Sequence, residues 1–143
     1  MKQSYMIFRH EYVLPQLARR MEEDVTTESH WPTAIRLVDG GRTLKVEFET
    51  GETFALPAEY LRVNSPSAEV RGHSPDQRVT VAGKRNVAIL RAEPVGNYAA
   101  SLVFDDGHET GYYTWDYLFH LGSDHDRLWQ AYLDELADKH LHR

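Results

Sequence analysis

Hydrophobic and polar positions alternate most cleanly where Leu44, Val46 and Phe48 interleave with Lys45, Glu47 and Glu49. A period of two sends successive side chains to opposite faces, so this stretch predicts a half-buried strand. Upstream, Ile35 and Leu37 flank Arg36, and Asp39-Gly40-Gly41 supplies a turn. Downstream, Thr50-Gly51-Glu52 turns the chain into a strand over 53–56. Pro57 suits the first position of a helical turn over 58–62, because a helix start leaves its N–H groups unpaired and proline has none. The pattern is a β-meander closed by a helical turn.

A similar order returns later. Strands are predicted over 97–104 and, before it, 87–93; Asp106-Gly107 is a strong hairpin turn, and 110–113 returns. Thr114 can cap a helix over 115–121 with Asp116 in its first turn and Gly122 stopping it. Ser123 and Asp126 resemble a capping box for a last helix that places Leu128, Tyr132 and Leu136 on one face, with Trp129 and Leu133 beside them. Phe48 matches Phe104, Gly51 matches Gly107 and Tyr60-Leu61 matches Tyr117-Leu118, a weak internal duplication. The fold class expected is α+β: an antiparallel meander and hairpin sheet unit with short helices and a C-terminal helix.

Three regions follow. Residues 1–31 form an N-terminal arm in which Tyr12, Val13, Leu14, Leu17, Ala18 and Met21 recur at helical spacing. Residues 32–121 are the body, and 122–143 the final helix. Within the body, 64–86 is rich in Ser, Pro, Gly and charge, with Val79 and Val81 as a short strand. Arg71, Arg78, Lys84 and Arg85 make it the one locally basic stretch, either a solvated loop or an interaction loop able to meet anions or a partner. The formal charge of −6 argues against nucleic acid as a partner. The absence of cysteine excludes disulfides and thiolate metal sites within the chain. No apolar run reaches the length of about 18 residues that a membrane span needs, and the first residues are too short for a signal-peptide core, so a cytoplasmic protein is expected.

Phosphate-loop, dinucleotide, nucleophile-elbow and HExxH motifs are all missing. His10-Glu11 and His108-Glu109 are adjacent pairs, which in a strand face opposite ways and do not share a metal readily. An independent enzyme is therefore disfavoured. What remains is a polar cluster around Asp105-Asp106-Gly107-His108, with Glu69 and His73 in the earlier loop. If the loops meet, His108, His73, Glu69 and Asp105 form a candidate site for a divalent metal or small ligand. The plainer reading is a hairpin and a solvated loop. His120, His125, His140 and His142 read as helix-surface residues, and Tyr98, Tyr112, Tyr113, Trp115 and Tyr117 as core and rim.

The stretches LPAEYLRVNSPSAEVRGH, KRNVAIL and EPVGNYAASLVFDDGHETGYYTWDYL occur in an order that resembles the gamma-butyrobetaine hydroxylase-like N-terminal domain family, over roughly 32–121. The resemblance implies a domain that in the hydroxylases precedes a separate 2-oxoglutarate- and iron-dependent catalytic domain and carries a structural zinc on three cysteines and a histidine. Against the hydroxylases' LRxNCPCxxC, the cysteine positions here are Ser65, Ser67 and Val70, and the histidine is kept as His108. No cofactor is expected, since a hydroxyl is a poor zinc ligand and valine is none. Similar domains are joined to Mrp-type iron–sulfur carrier ATPases, so the resemblance implies an accessory role. Its partner would be such an ATPase or an oxygenase. Self-association stays open, with Trp129 and Leu133 as an apolar face.

Overall fold

The computed structural model describes residues 4–7, 30–72 and 78–143. The helix expected over 12–21 lies outside the described residues. Strands β1 (Ser4–Ile7), β2 (Pro32–Val38), β3 (Thr43–Phe48) and β4 (Thr53–Pro57) form one antiparallel sheet in the order β1-β2-β3-β4. Helices α1 (Ala58–Val63) and α2 (Ala68–Arg71) follow. A second antiparallel sheet, in the order β5-β6-β7, contains β5 (Ile89–Val95), β6 (Ala99–Phe104) and β7 (Tyr112–Thr114). It leads into α3 (Trp115–Ser123) and α4 (His125–Asp138). This is an α+β fold built from two meanders, each ending in a helix.

The alternation in β3 holds as the sequence implies: Leu44, Val46 and Phe48 are buried, while Thr43, Lys45 and Glu47 keep partial exposure. On the outer side Arg36 pairs with Glu47 at 2.8 Å. The inner faces of both sheets share one core, in which Ile35, Leu44, Val46 and Leu56 meet Ile89, Leu102 and Phe104, closed by Leu61, Leu118 and Leu121. Full burial of one such side chain contributes about 1.5–3 kcal/mol. The hydroxyls of two helix tyrosines tie the halves together. Tyr60 of α1 donates to the Leu121 carbonyl at 2.6 Å, and Tyr117 of α3 donates to the Asn64 carbonyl at 2.6 Å. Both carbonyls lie at or near the C-terminal end of a helix, where acceptors lack intrahelical donors. The bonds are reciprocal, as the duplicated Tyr-Leu pairs suggest.

Several local expectations are corrected. Gly122 does not stop a helix but lies inside α3; a Cβ there would sit 2.3 Å from the Phe54 ring, so the residue allows α3 to press onto β4. Ser123 is the last residue of α3, and α4 begins after Asp124 with no side-chain capping bond, so the capping box does not form. Val79 and Val81 lie outside any strand; Val79 is half exposed and its N–H donates to the Val70 carbonyl at 2.7 Å. Pro57 ends β4 and precedes α1 rather than starting it. Tyr113 and Trp115 are core, Tyr98 and Tyr112 exposed. β1 was not foreseen; it pairs with β2 from Ser4↔Leu37 to Ile7↔Ala34. The Thr114 cap forms, its hydroxyl accepting from the Tyr117 N–H at 3.2 Å.

Candidate functional site

The loop after α1 and the β6–β7 hairpin meet at one side of the core. In the loop, Ser67 caps the short α2 by accepting from the Glu69 N–H at 3.3 Å. In the hairpin, the Asp106 carboxylate accepts from the His108 N–H at 3.1 Å, and the Phe104 N–H donates to the His108 carbonyl at 2.9 Å. An aspartate bonded to the backbone two residues on fixes a tight turn, and here it swings His108 inward. His108 is 7% exposed.

There His108 is bonded on both ring nitrogens. Nε2 lies 2.8 Å from Ser65 Oγ, and Nδ1 lies 3.2 Å from Glu69 Oε2. A neutral imidazole has one donor and one acceptor; a proton on Nδ1 serves Glu69 and leaves Nε2 to accept from the Ser65 hydroxyl. Ser65 Oγ then accepts from the Ser67 N–H at 3.3 Å, and Ser67 Oγ meets Thr110 Oγ1 at 2.7 Å. Burial lowers the His108 pKa, the Arg62 charge adds to this, and Glu69 and Asp106 oppose it. Gly111 permits the closure, since a Cβ at that position would stand 2.5 Å from Ser65 Oγ.

A charged cluster adjoins this network. The Asp106 carboxylate pairs with Arg62 Nε at 2.8 Å and Lys84 Nζ at 2.6 Å. Burial alone would raise its pKa, but Lys84, the His108 N–H and Arg62 outweigh that and hold it at about 2. Asp105 turns the other way. Its N–H donates to the Ala88 carbonyl at 2.9 Å and its carboxylate accepts from the Ala88 N–H at 3.1 Å, which joins the hairpin to the start of β5.

The structure thus brings His108 and Glu69 together, directs Asp105 elsewhere, and leaves His73 outside the described residues. Among the described residues no group of three or more His, Cys, Asp or Glu is arranged to hold a metal. At the three cysteine positions of the resemblance, Ser65 and Ser67 present hydroxyls already engaged in hydrogen bonds, and Val70 is 3% exposed with no donor atom. This donor set does not fit zinc, which takes thiolate, imidazole or carboxylate. The basic residues divide among three places: Arg71 and Arg78 line one cleft, Lys84 holds Asp106, and Arg85 lines a second cleft of about 610 Å³ beside Leu133, Leu136 and the final residues. Sequence reasoning passed over Arg62, Thr110 and the buried Glu59. Their only signal was proximity to the two loops and to a helix start. Glu59 is held by Arg143 through contacts of 2.7 and 3.1 Å.

Two short meanders packed on one core, with a hydrogen-bonded polar cluster at one side, define a small α+β domain with a structural polar centre. The chain belongs to the family described as gamma-butyrobetaine hydroxylase-like, N-terminal, whose model matches residues 35–119. Two structures determined by NMR in solution are similar over most of the chain. One is 46% identical with a TM-score of 0.70 and covers 81% of this chain and 91% of its own; the other is 44% identical at 0.71, covering 82% and 88%. A crystal structure of a protein of unknown function from Acidithiobacillus ferrooxidans is 38% identical at 0.53, covering 64% of this chain and 91% of its own. No curated protein matches the chain. The matches are to a domain of unknown function, and no catalytic family is evident among them. No described helix is long and apolar enough to cross a membrane.

Proposed function

We propose that the chain is a non-catalytic accessory domain of the cytoplasm that docks on a partner protein, with the Ser65–His108–Glu69 network serving as its internal staple. One observation carries this reading: both ring nitrogens of His108 are committed within the domain, to Ser65 and Glu69. A serine, histidine and carboxylate bonded in this order also make a catalytic triad, which needs its hydroxyl open to substrate. Ser65 is 1% and His108 7% exposed, so the hydroxyl is closed off and the series acts as a staple. The hydroxyls of Ser65 and Ser67 stand where a structural zinc would need sulfur, so the domain holds its loop and hairpin together by hydrogen bonds and needs no cofactor.

The partner on this reading is an Mrp-type iron–sulfur carrier ATPase or an oxygenase, since related domains are joined to both. The test is direct titration of the purified full chain against each purified candidate, followed by reciprocal affinity capture at native expression levels. A saturable complex of fixed stoichiometry with one of them, recovered with the tag on either member, is the expected result. No retention of either candidate across a range of salt concentrations overturns the proposal.

A further inference from the structure

We propose that the cleft between α2, α3 and α4 binds a small organic oxyanion carried on a short apolar stem. The cleft holds about 240 Å³ and is rimmed by Arg71, Arg78, Tyr117 and His120, over a floor that includes Val70 and Leu121. In a chain of formal charge −6, none of the described residues lining it is a carboxylate. Among the described residues, Asp124 meets His120 at 2.9 Å, and Glu135 stands 4.0 Å from Arg78. Glu135 also bonds Thr80 and meets Lys139 at 3.5 Å, so its charge is shared and Arg78 retains donors.

Arg71 is placed for recognition. Its guanidinium carbon lies 4.7 Å from the centre of the Tyr117 ring. Tyr117 is itself anchored by its bond to the Asn64 carbonyl. A guanidinium over an aromatic face is restrained yet keeps its in-plane N–H groups for a planar or tetrahedral oxyanion. Arg78 lines the same cleft and adds a second positive charge for the head group. Val63, Val70 and Leu121 are buried apolar lining that suits methylene groups, and the polar side chains of Ser65 and Asn64 beside them are already bonded to His108 and to the Tyr60 carbonyl. The volume of about 240 Å³ suits a ligand of a few carbons.

The experiment is amide NMR titration of the full chain with hexanoate, hexyl phosphate, acetate and hexylammonium. Saturable shifts at Arg71, Tyr117 and Leu121 with hexanoate or hexyl phosphate are expected, whichever head group binds more tightly identifying the source of the oxyanion. Acetate should bind at least about tenfold more weakly than hexanoate, because it leaves the floor unfilled. Hexylammonium should produce no saturable shift. Arg71 and Arg78 are exposed, so the R71Q/R78Q variant keeps its fold, verified by its amide spectrum, and loses at least about tenfold in affinity. No saturation with either anion, equal response to hexylammonium, equal affinity for acetate, or an unchanged affinity in R71Q/R78Q would each overturn the proposal.

Discussion

An acid stands at the second position of the helix that ends each meander. Glu59 in α1 has a side chain 7% exposed and is gripped by Arg143, which also lies over the Trp129 ring at 5.2 Å. Asp116 in α3 is 71% exposed and, among the described residues, meets His30, at 3.1 Å. One residue further on, Tyr60 is fully buried and Tyr117 is half-buried, although both donate to the end of the opposite helix. The meanders differ in their turns as well. The β3–β4 turn is short, whereas the β6–β7 connection at 105–111 is long enough to carry His108 back onto the loop after α1. A repeated backbone plan therefore leaves one half to supply the core's covered side and the other to supply exposed polar surface. Equivalent letters in the two halves should carry unequal energies.

The acids give the largest expected contrast. Arg143→Ala leaves the Glu59 carboxylate buried without its partner and should lower unfolding stability by about 3 kcal/mol. Asp116→Ala should change it by less than about 0.5 kcal/mol. Urea denaturation measures both, and equal effects would mean that the halves are energetically alike. Next come the tyrosines: Tyr60→Phe strands the Leu121 carbonyl in the core at a cost of about 1–3 kcal/mol, whereas water can reach the Asn64 carbonyl after Tyr117→Phe, which should cost less than about 1 kcal/mol. Comparable losses would show that the second half is as closed as the first.

The hairpin gives a pH signature. The Asp106 carboxyl is depressed to about 2 in the fold, against about 4 for an unfolded aspartate. Its contribution is thus fully present above pH 4 or so and fades as the pH falls toward 2. Asp106→Asn should be less stable than the parent by about 1–2 kcal/mol at pH 6, with the gap closing over that acid range. The lowered His108 pKa acts in the same direction at a higher window: stability present above its unfolded value of about 6.5 declines as the pH drops below it. A gap that stays constant down to pH 2 would exclude Asp106 as its source. The smallest effect concerns metal. If hydrogen bonds alone staple the loop and hairpin, as proposed, dialysis against a strong chelator should move the Tm of the parent by no more than about 1 °C. The Ser65→Cys, Ser67→Cys, Val70→Cys triple variant should gain chelator-sensitive stability, read by the same melt.

Much of the framework was legible. Leu44, Val46 and Phe48 announce their strand because alternation reports burial on one face directly. Thr114 announces its cap because a hydroxyl before a helix has a local partner. The Asp106-Gly107 turn is local too. β1 was missed, since four residues are too few to show a period. The Ser123 capping box failed because α3 runs straight to the Asp124 junction, leaving no room for the extended residue a cap requires. Gly122 was misread because its reason is the Phe54 ring, which lies far away in sequence. In the candidate site, His108, Glu69 and Asp105 were all noted from their chemistry, yet only the hairpin's geometry decides that Glu69 faces the imidazole while Asp105 faces Ala88.

Composition and periodicity by themselves determined the α+β class, the two meanders with their closing helices and the lack of thiolate ligands, because each depends on residue type or on neighbours a few positions apart; the family resemblance rested on three motifs in their order. Tertiary structure alone decided which acid is buried, which arginines share a cleft, and that Ser65 and His108 are bonded. Those outcomes depend on contacts between residues tens of positions apart, whose distances are set by how the two sheets pack rather than by any local preference.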